Sequence, residues 1–175
     1  MRIVVIGGGF GGIRAALDLA KQRDVDVTLI SDREHFTYYP SLYAVATGGS
    51  SRQSFVPVDE ILSGSRVTFI KDKITGYNPE RRIVSGEIRD YSFDRAIFSL
   101  GVVTSYFGIK GLDTYSFGIK SSDEVARFKR HVHDEIVADH HLDKQYVIVG
   151  AGPTGVELSA SMASYISRIA EAHKV

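Results

Sequence analysis

Cysteine is absent from the 175 residues. That excludes disulfides, thiolate nucleophiles, cysteine zinc sites, iron–sulfur clusters and a redox dithiol within this chain. An excess of one charge is missing too: 21 Lys and Arg stand against 21 Asp and Glu. Such a balance argues against a nucleic-acid-binding surface. No apolar run approaches the roughly 20 residues of a membrane span. The opening Met1-Arg2-Ile3-Val4-Val5-Ile6-Gly7 does not read as a secretory leader, so a cytoplasmic protein is expected. What is present is ordinary, 43% hydrophobic and 24% charged residues. This is a soluble globular mix, long enough to bury a core without a metal or disulfide staple.

Glycine is unevenly placed. Ten of 17 fall at Gly7, Gly8, Gly9, Gly11 and Gly12, at Gly48 and Gly49, and at Gly150, Gly152 and Gly155. Clusters of this kind mark places where the backbone must come close to something.

Ile3-Val4-Val5-Ile6 is a continuous apolar run, expected as a parallel strand buried on both faces. After the glycines, Ile13, Ala16, Leu17 and Ala20 recur at helical spacing, predicting a helix over 11–22. Val27-Thr28-Leu29-Ile30 reads as a second buried strand. The unit has the size and order of a nucleotide-binding βαβ unit, and Gly7-x-Gly9-x-x-Gly12 fits its fingerprint. Gly7 makes the tight turn, Gly9 lets the main chain approach a pyrophosphate, and Gly12 lets helix pack on strand. Phe10 and Gly11 lie within the fingerprint, at the entry to a helix whose free N–H groups favour the anion. An acidic residue about 20 positions on would bind ribose hydroxyls. Asp32 lies at that distance, but Ser31 directly follows the strand; Asp32 is favoured, with Ser31 as helper.

A shift of 143 residues superposes a second site on the first. Tyr146-Val147-Ile148-Val149 is expected as a strand, followed by Gly150-Ala151-Gly152-Pro153-Thr154-Gly155 and a helix to about Ala172. Two fingerprints imply two dinucleotides or a duplicated domain. The second unit has no second strand and no ribose-reading acid before Val175, so the chain is expected to be a fragment of a longer protein. It also leaves open NADH against NADPH. Its last helix is expected to dock on the first sheet or to pair with another copy as a homodimer.

Between the sites, a short helix is expected around Ser41–Ala46. Segments 66–71, 73–77, 82–85 and 87–91 read as a small antiparallel meander, with turns at Asn78-Pro79 and Ser85-Gly86. Phe93–Leu100 reads as a further buried strand that brings Leu100 and Gly101 to the carboxyl edge of the sheet, where ligands bind. Ser121-Ser122-Asp123-Glu124 is a capping-box start for a helix to about Ala138. His131, His133, His140 and His141, among Asp134, Asp139 and Asp143, read as a solvated helix end and loop; no metal site is expected.

Taken together, the opening glycine loop, Tyr39-Pro40-Ser41-Leu42-Tyr43-Ala44-Val45-Ala46-Thr47-Gly48 and Val147-Ile148-Val149-Gly150-Ala151-Gly152-Pro153-Thr154-Gly155-Val156-Glu157-Leu158 resemble the type II NADH dehydrogenases. These are FAD-dependent members of the pyridine nucleotide-disulfide oxidoreductase superfamily. The resemblance implies that the first fingerprint holds FAD and the second NADH or NADPH. It implies that Asp32 or Ser31 and Arg33 bound the adenosine side and that Ile74 offers main-chain contacts to adenine. Pro40, Thr47 and Gly101 would lie nearer the flavin; Gly150, Gly152, Pro153, Thr154 and Gly155 would face NADH. Glu157 would stand beside the nicotinamide and quinone region as the one candidate catalytic side chain. The implied reaction passes hydride from nicotinamide to flavin and electrons on to a quinone; the cofactor supplies the chemistry and the protein aligns it.

The family's carboxyl-terminal part completes the NADH domain and carries membrane-docking helices. The longer protein is therefore expected at the inner face of the cytoplasmic membrane, and this chain is expected to be inactive alone. A sulfide:quinone oxidoreductase, which Ile30-Ser31-Asp32-Arg33 also resembles, and a non-catalytic nucleotide-binding module are the alternatives. The expected fold is α/β, a doubly wound parallel sheet of FAD/NAD(P)-binding Rossmann type with a small antiparallel meander inserted. The FAD domain would span 1–105, a connector 106–144, and the start of the NADH domain 145–175.

Overall fold

The computed structural model describes residues 1–139 and 145–174. They form two compact units, each drawn from two stretches of chain. One comprises Met1–Thr37 with Phe55–Val102, the other Tyr38–Ser54 with Val103–Val175. These units divide the chain differently from the functional domains expected at 1–105, 106–144 and 145–175.

The first unit is built on a four-stranded parallel sheet. Its strands are β1 (Arg2–Ile6), β2 (Asp26–Ser31), β5 (Val67–Lys71) and β9 (Arg95–Phe98), in the order β5-β2-β1-β9. The continuous apolar run of β1 is explained by burial on both faces. Ile3 and Val5 face a cluster with Ile13, Ala16, Leu29, Val58 and Leu62, supplied in part by α1 (Phe10–Leu19) and α3 (Val58–Leu62). Val4 and Ile6 face Ile30, Val84, Tyr91 and Phe93 on the other side. That second layer is the meander β6 (Ile74–Asn78), β7 (Ile83–Gly86) and β8 (Asp90–Ser92). A two-stranded antiparallel ribbon joins β3 (His35–Thr37) to β4 (Phe55–Pro57).

Two expectations for this unit change. The meander has three strands, because Val67–Lys71 pairs in parallel with β2 over its whole length and belongs to the main sheet. The turn expected at Ser85-Gly86 falls later, over residues 87–89, since Gly86 still donates its N–H to the Arg89 carbonyl. The Asp72 carboxylate organises that turn. It accepts from the Ile88 N–H at 3.2 Å and from the buried Tyr91 hydroxyl at 2.6 Å. Burial opposes its ionisation, but the Tyr91 hydroxyl and the backbone N–H groups around it outweigh burial and hold its pKa below the ordinary carboxylate value.

In the second unit a 3₁₀ turn (Tyr39–Ser41) leads into α2 (Leu42–Ala46), and another covers Ser51–Gln53. There follow α4 (Leu112–Tyr115), α5 (Ser122–Asp139) and α6 (Pro153–His173). The capping box at α5 forms nearly as read: Ser121 Oγ accepts the Glu124 N–H at 3.2 Å, and the Glu124 carboxylate accepts the Lys120 N–H. The later half of the apolar stripe of α6 is covered within the unit. Met162, Tyr165 and Ile169 pack with Val132 and Ile136 of α5. Val156, at the start of the stripe, remains 60% exposed.

Tyr146–Val149 does not form the expected strand. Val147 and Val149 are 85% and 70% exposed, and no strand runs beside this segment among the described residues. A β-strand gains its stability from a ladder partner, and an apolar run without one stays extended and wet.

Candidate functional site

The first glycine loop joins the carboxyl end of β1 to the start of α1. Gly7 has φ +112°, a region that L side chains rarely enter. Its N–H donates to the Ile30 carbonyl at 2.8 Å, locking the loop to the neighbouring strand. A Cβ on Gly12 would overlap the Gly7 carbonyl oxygen, so this position must be bare for α1 to leave the sheet at this angle. Gly9 caps α1 in extended backbone, and a Cβ there would meet nothing within 4 Å. The loop is therefore tight at its first and last glycines and open at its middle one. Main-chain N–H groups at the start of α1 point into that open side, a cradle suited to a pyrophosphate.

The second loop repeats this geometry. Gly150 has φ +119°, and a Cβ on Gly155 would overlap the Gly150 carbonyl oxygen. Gly152 caps α6 in extended backbone and again meets nothing within 4 Å. The first intrahelical bonds match as well, Ile13 N–H to Gly9 at 3.0 Å and Val156 N–H to Gly152 at 3.1 Å. Pro153 occupies the first helical position of α6, where its missing N–H costs nothing, with Thr154 beside it.

Around the first loop the structure gathers Phe10, Gly11, Ser31, Leu100 and Gly101 in one unit. Phe10 stands half-exposed with its ring edge-on to Phe36, the centroids 4.7 Å apart. Ser31 is the last residue of β2; its buried hydroxyl lies against Gly8 and accepts the Arg33 N–H at 3.2 Å. Asp32 lies one residue past the strand and is exposed. Ile74 begins β6, an edge strand, and packs with the Val84 cluster. Ser99 was not singled out by sequence. Its hydroxyl faces Gly11, its carbonyl lies against Gly7 and its Cβ lies against Gly12. A small polar residue at the carboxyl end of a parallel strand was the available signal.

In the second unit the Thr47 hydroxyl bonds back to the Tyr43 carbonyl at 2.9 Å, while its own carbonyl accepts from Arg168 at 2.7 Å. Gly48, at φ +92°, lies against the Tyr165 ring. An open cleft of about 390 Å³ is lined by Thr47, Gly49, Ser161, Ser164 and Arg168. Pro40 belongs to the 3₁₀ turn before α2, and Glu157 is exposed in the first turns of α6. Among the described residues no three His, Cys, Asp or Glu side chains gather as metal ligands. His131 stacks on Phe117 at 4.6 Å; His140, His141 and Asp143 lie outside the described residues.

The two matching loops ask for a family built on paired dinucleotide sites. Residues 1–173 match the family described as pyridine nucleotide-disulphide oxidoreductase. The chain belongs to the pyridine nucleotide-disulphide oxidoreductase family. A curated relative, the type II NADH:quinone oxidoreductase NdhA of Mycobacterium tuberculosis, is 31% identical over 95% of this chain and 38% of its own length. The structure of NDH2 from Plasmodium falciparum in complex with NADH covers 99% of this chain and 39% of that one, at 25% identity and TM-score 0.83. The sulfide:quinone oxidoreductase of Aquifex aeolicus covers 79% of this chain and 32% of that one, at 28% identity and TM-score 0.69. This family member thus spans well under half the length of these relatives. The α/β fold with a parallel sheet and small antiparallel additions agrees with theirs. No described helix is long and apolar enough to cross a membrane.

Proposed function

We propose that this chain is the nucleotide-binding core of an FAD-dependent NADH:quinone oxidoreductase. The duplicated loop geometry carries the reading: two loops 143 residues apart, each with a first glycine at positive φ, an open middle glycine and a last glycine pressed on the first one's carbonyl. Both open sides would admit a pyrophosphate, because no protein atom lies within 4 Å of where a Cβ on Gly9 or Gly152 would stand. When bound, FAD would accept hydride from NADH or NADPH and hand electrons to a quinone.

The chain's own task is alignment. Gly7, Gly9, Phe10, Gly11 and Gly12 would seat the FAD pyrophosphate, with Ser99 closing the far side. Ser31, Asp32 and Arg33 would hold the adenosine ribose, and the Ile74 backbone the adenine. Leu100 and Gly101, with Pro40 and Thr47, would border the flavin. Gly150, Gly152, Pro153, Thr154 and Gly155 would seat the nicotinamide dinucleotide. Glu157 would place a carboxylate able to hold a proton near the reacting rings. A cytoplasmic location, contact of the whole protein with the inner membrane face and a homodimer belong to the same reading.

The similarity to a sulfide:quinone oxidoreductase favours a second reading, in which sulfide replaces NADH as reductant. No thiol in this chain supports sulfide chemistry. Released flavin measured against purified protein tests the first site; near-stoichiometric FAD is expected. Turnover of the complete gene product with a soluble quinone separates the two reductants. Oxidation of sulfide but not of NADH or NADPH would replace the first reading by the second.

A further inference from the structure

His133 and His173 lie 40 residues apart on α5 and α6, yet their Nε2 atoms are 3.3 Å apart. Their ring centroids are 5.1 Å apart and the rings are nearly perpendicular, at 82°. Two features set this pair apart from an incidental surface contact. The first is orientation. His133 Nδ1 lies 3.2 Å from the Asp134 carboxylate, which favours the proton on Nδ1 and leaves the Nε2 lone pair directed at His173. A carboxylate behind an imidazole is the arrangement that holds histidine ligands in place on metals.

The second feature is distance. Zinc binds imidazole nitrogen at about 2.0–2.1 Å in tetrahedral geometry, which sets two such nitrogens about 3.3 Å apart. With both lone pairs converging on one metal, the ring centres would lie about 5.2 Å apart. Two nitrogens aimed straight at each other at 3.3 Å would instead separate the centres by about 5.6 Å. Both observed distances fit convergence on a common point.

We infer that His133 and His173 form a two-imidazole site for a borderline divalent metal of the zinc class, oriented by Asp134. Solvent reaches His133, so water completes the coordination, and nitrogen ligands select against magnesium and calcium. Such a metal clips the last turns of α6 to α5 next to the Val132–Ile136–Met162–Ile169 cluster. The site shares no residue with either glycine loop and does not depend on the flavin reading.

Calorimetric titration of chelator-treated protein with zinc chloride tests it. One-to-one uptake is expected. His133→Gln and His173→Gln should each weaken it at least tenfold, and Asp134→Asn should weaken it less. His131→Gln, on another face of α5, should bind as the parent does. Zinc should also raise the parent's melting temperature by about 2–4 °C, and not that of the double His133→Gln, His173→Gln variant. Absence of uptake by the parent overturns the site. So does uptake by His133→Gln or His173→Gln equal to the parent's.

Discussion

Gly9 and Gly12 are three residues apart in one loop, and their surroundings give them different duties. A methyl group at Gly12 has no room beside the Gly7 carbonyl, whereas one at Gly9 enters open space in an ordinary backbone region. Gly12→Ala should therefore destabilise the chain by about 1–3 kcal/mol in urea unfolding. Gly9→Ala should leave the unfolding midpoint within about 0.5 kcal/mol of the parent. It should nonetheless weaken FAD or ADP binding at least tenfold, read by fluorescence or calorimetry. Loss of stability without loss of affinity in Gly9→Ala would refute the open-cradle reading. The fingerprint spacing was legible in the sequence because Gly7 and Gly12 each meet a local steric demand and Gly9 leaves the loop open between them. Asp72 was not, because its partners Ile88 and Tyr91 come from a later turn and strand. Its pKa is lowered in the folded chain, so its stabilising effect is complete above the unfolded carboxyl value of about 3.9 and fades as pH falls through the lower folded value. Asp72→Asn should flatten that acid-side decline in melting temperature while lowering stability at neutral pH.

Elements were legible where a pattern has one structural solution. Ile3-Val4-Val5-Ile6 cannot alternate faces with polar residues, so burial on both sides was the only reading, and the α1 and meander layers supply it. Val67–Lys71 has a similar β-rich composition to the meander strands, and nothing local says which sheet it joins; the β2 edge decides it. Tyr146–Val149 reads like β1 but has no neighbouring strand among the described residues, and pairing is a property of the partner as much as of the segment. This difference is measurable. Val147→Lys should change stability by less than about 0.5 kcal/mol, as for an exposed site. Were residues 146–149 a buried strand, the same charge would be severely destabilising. Ile136→Ala, in the fully buried cluster joining α5 to α6, should by contrast cost about 2–5 kcal/mol in urea unfolding.

At the scale of the molecule, two quantities act together. The formal charge is zero at pH 7 and the sequence pI is about 7.0, so long-range repulsion between copies is weakest at neutral pH. Large apolar side chains are meanwhile open to water: Val103 at 84%, Phe107 at 86%, Tyr115 at 87% and Val147 at 85%. Apolar exposure supplies attraction that does not depend on pH, and net charge is the one opposing term that does. Light scattering at fixed concentration should therefore show greatest self-association near pH 7 and a decrease toward pH 9. Adding three glutamates at exposed positions away from these residues should shift the pH of greatest association to lower values without changing the melting temperature by more than about 2 °C. Replacing Phe107 and Val147 by Ser and Thr should lower the scattering at every pH. A response to the added charge alone, with none to the apolar replacements, would mean that association runs through another surface of the chain.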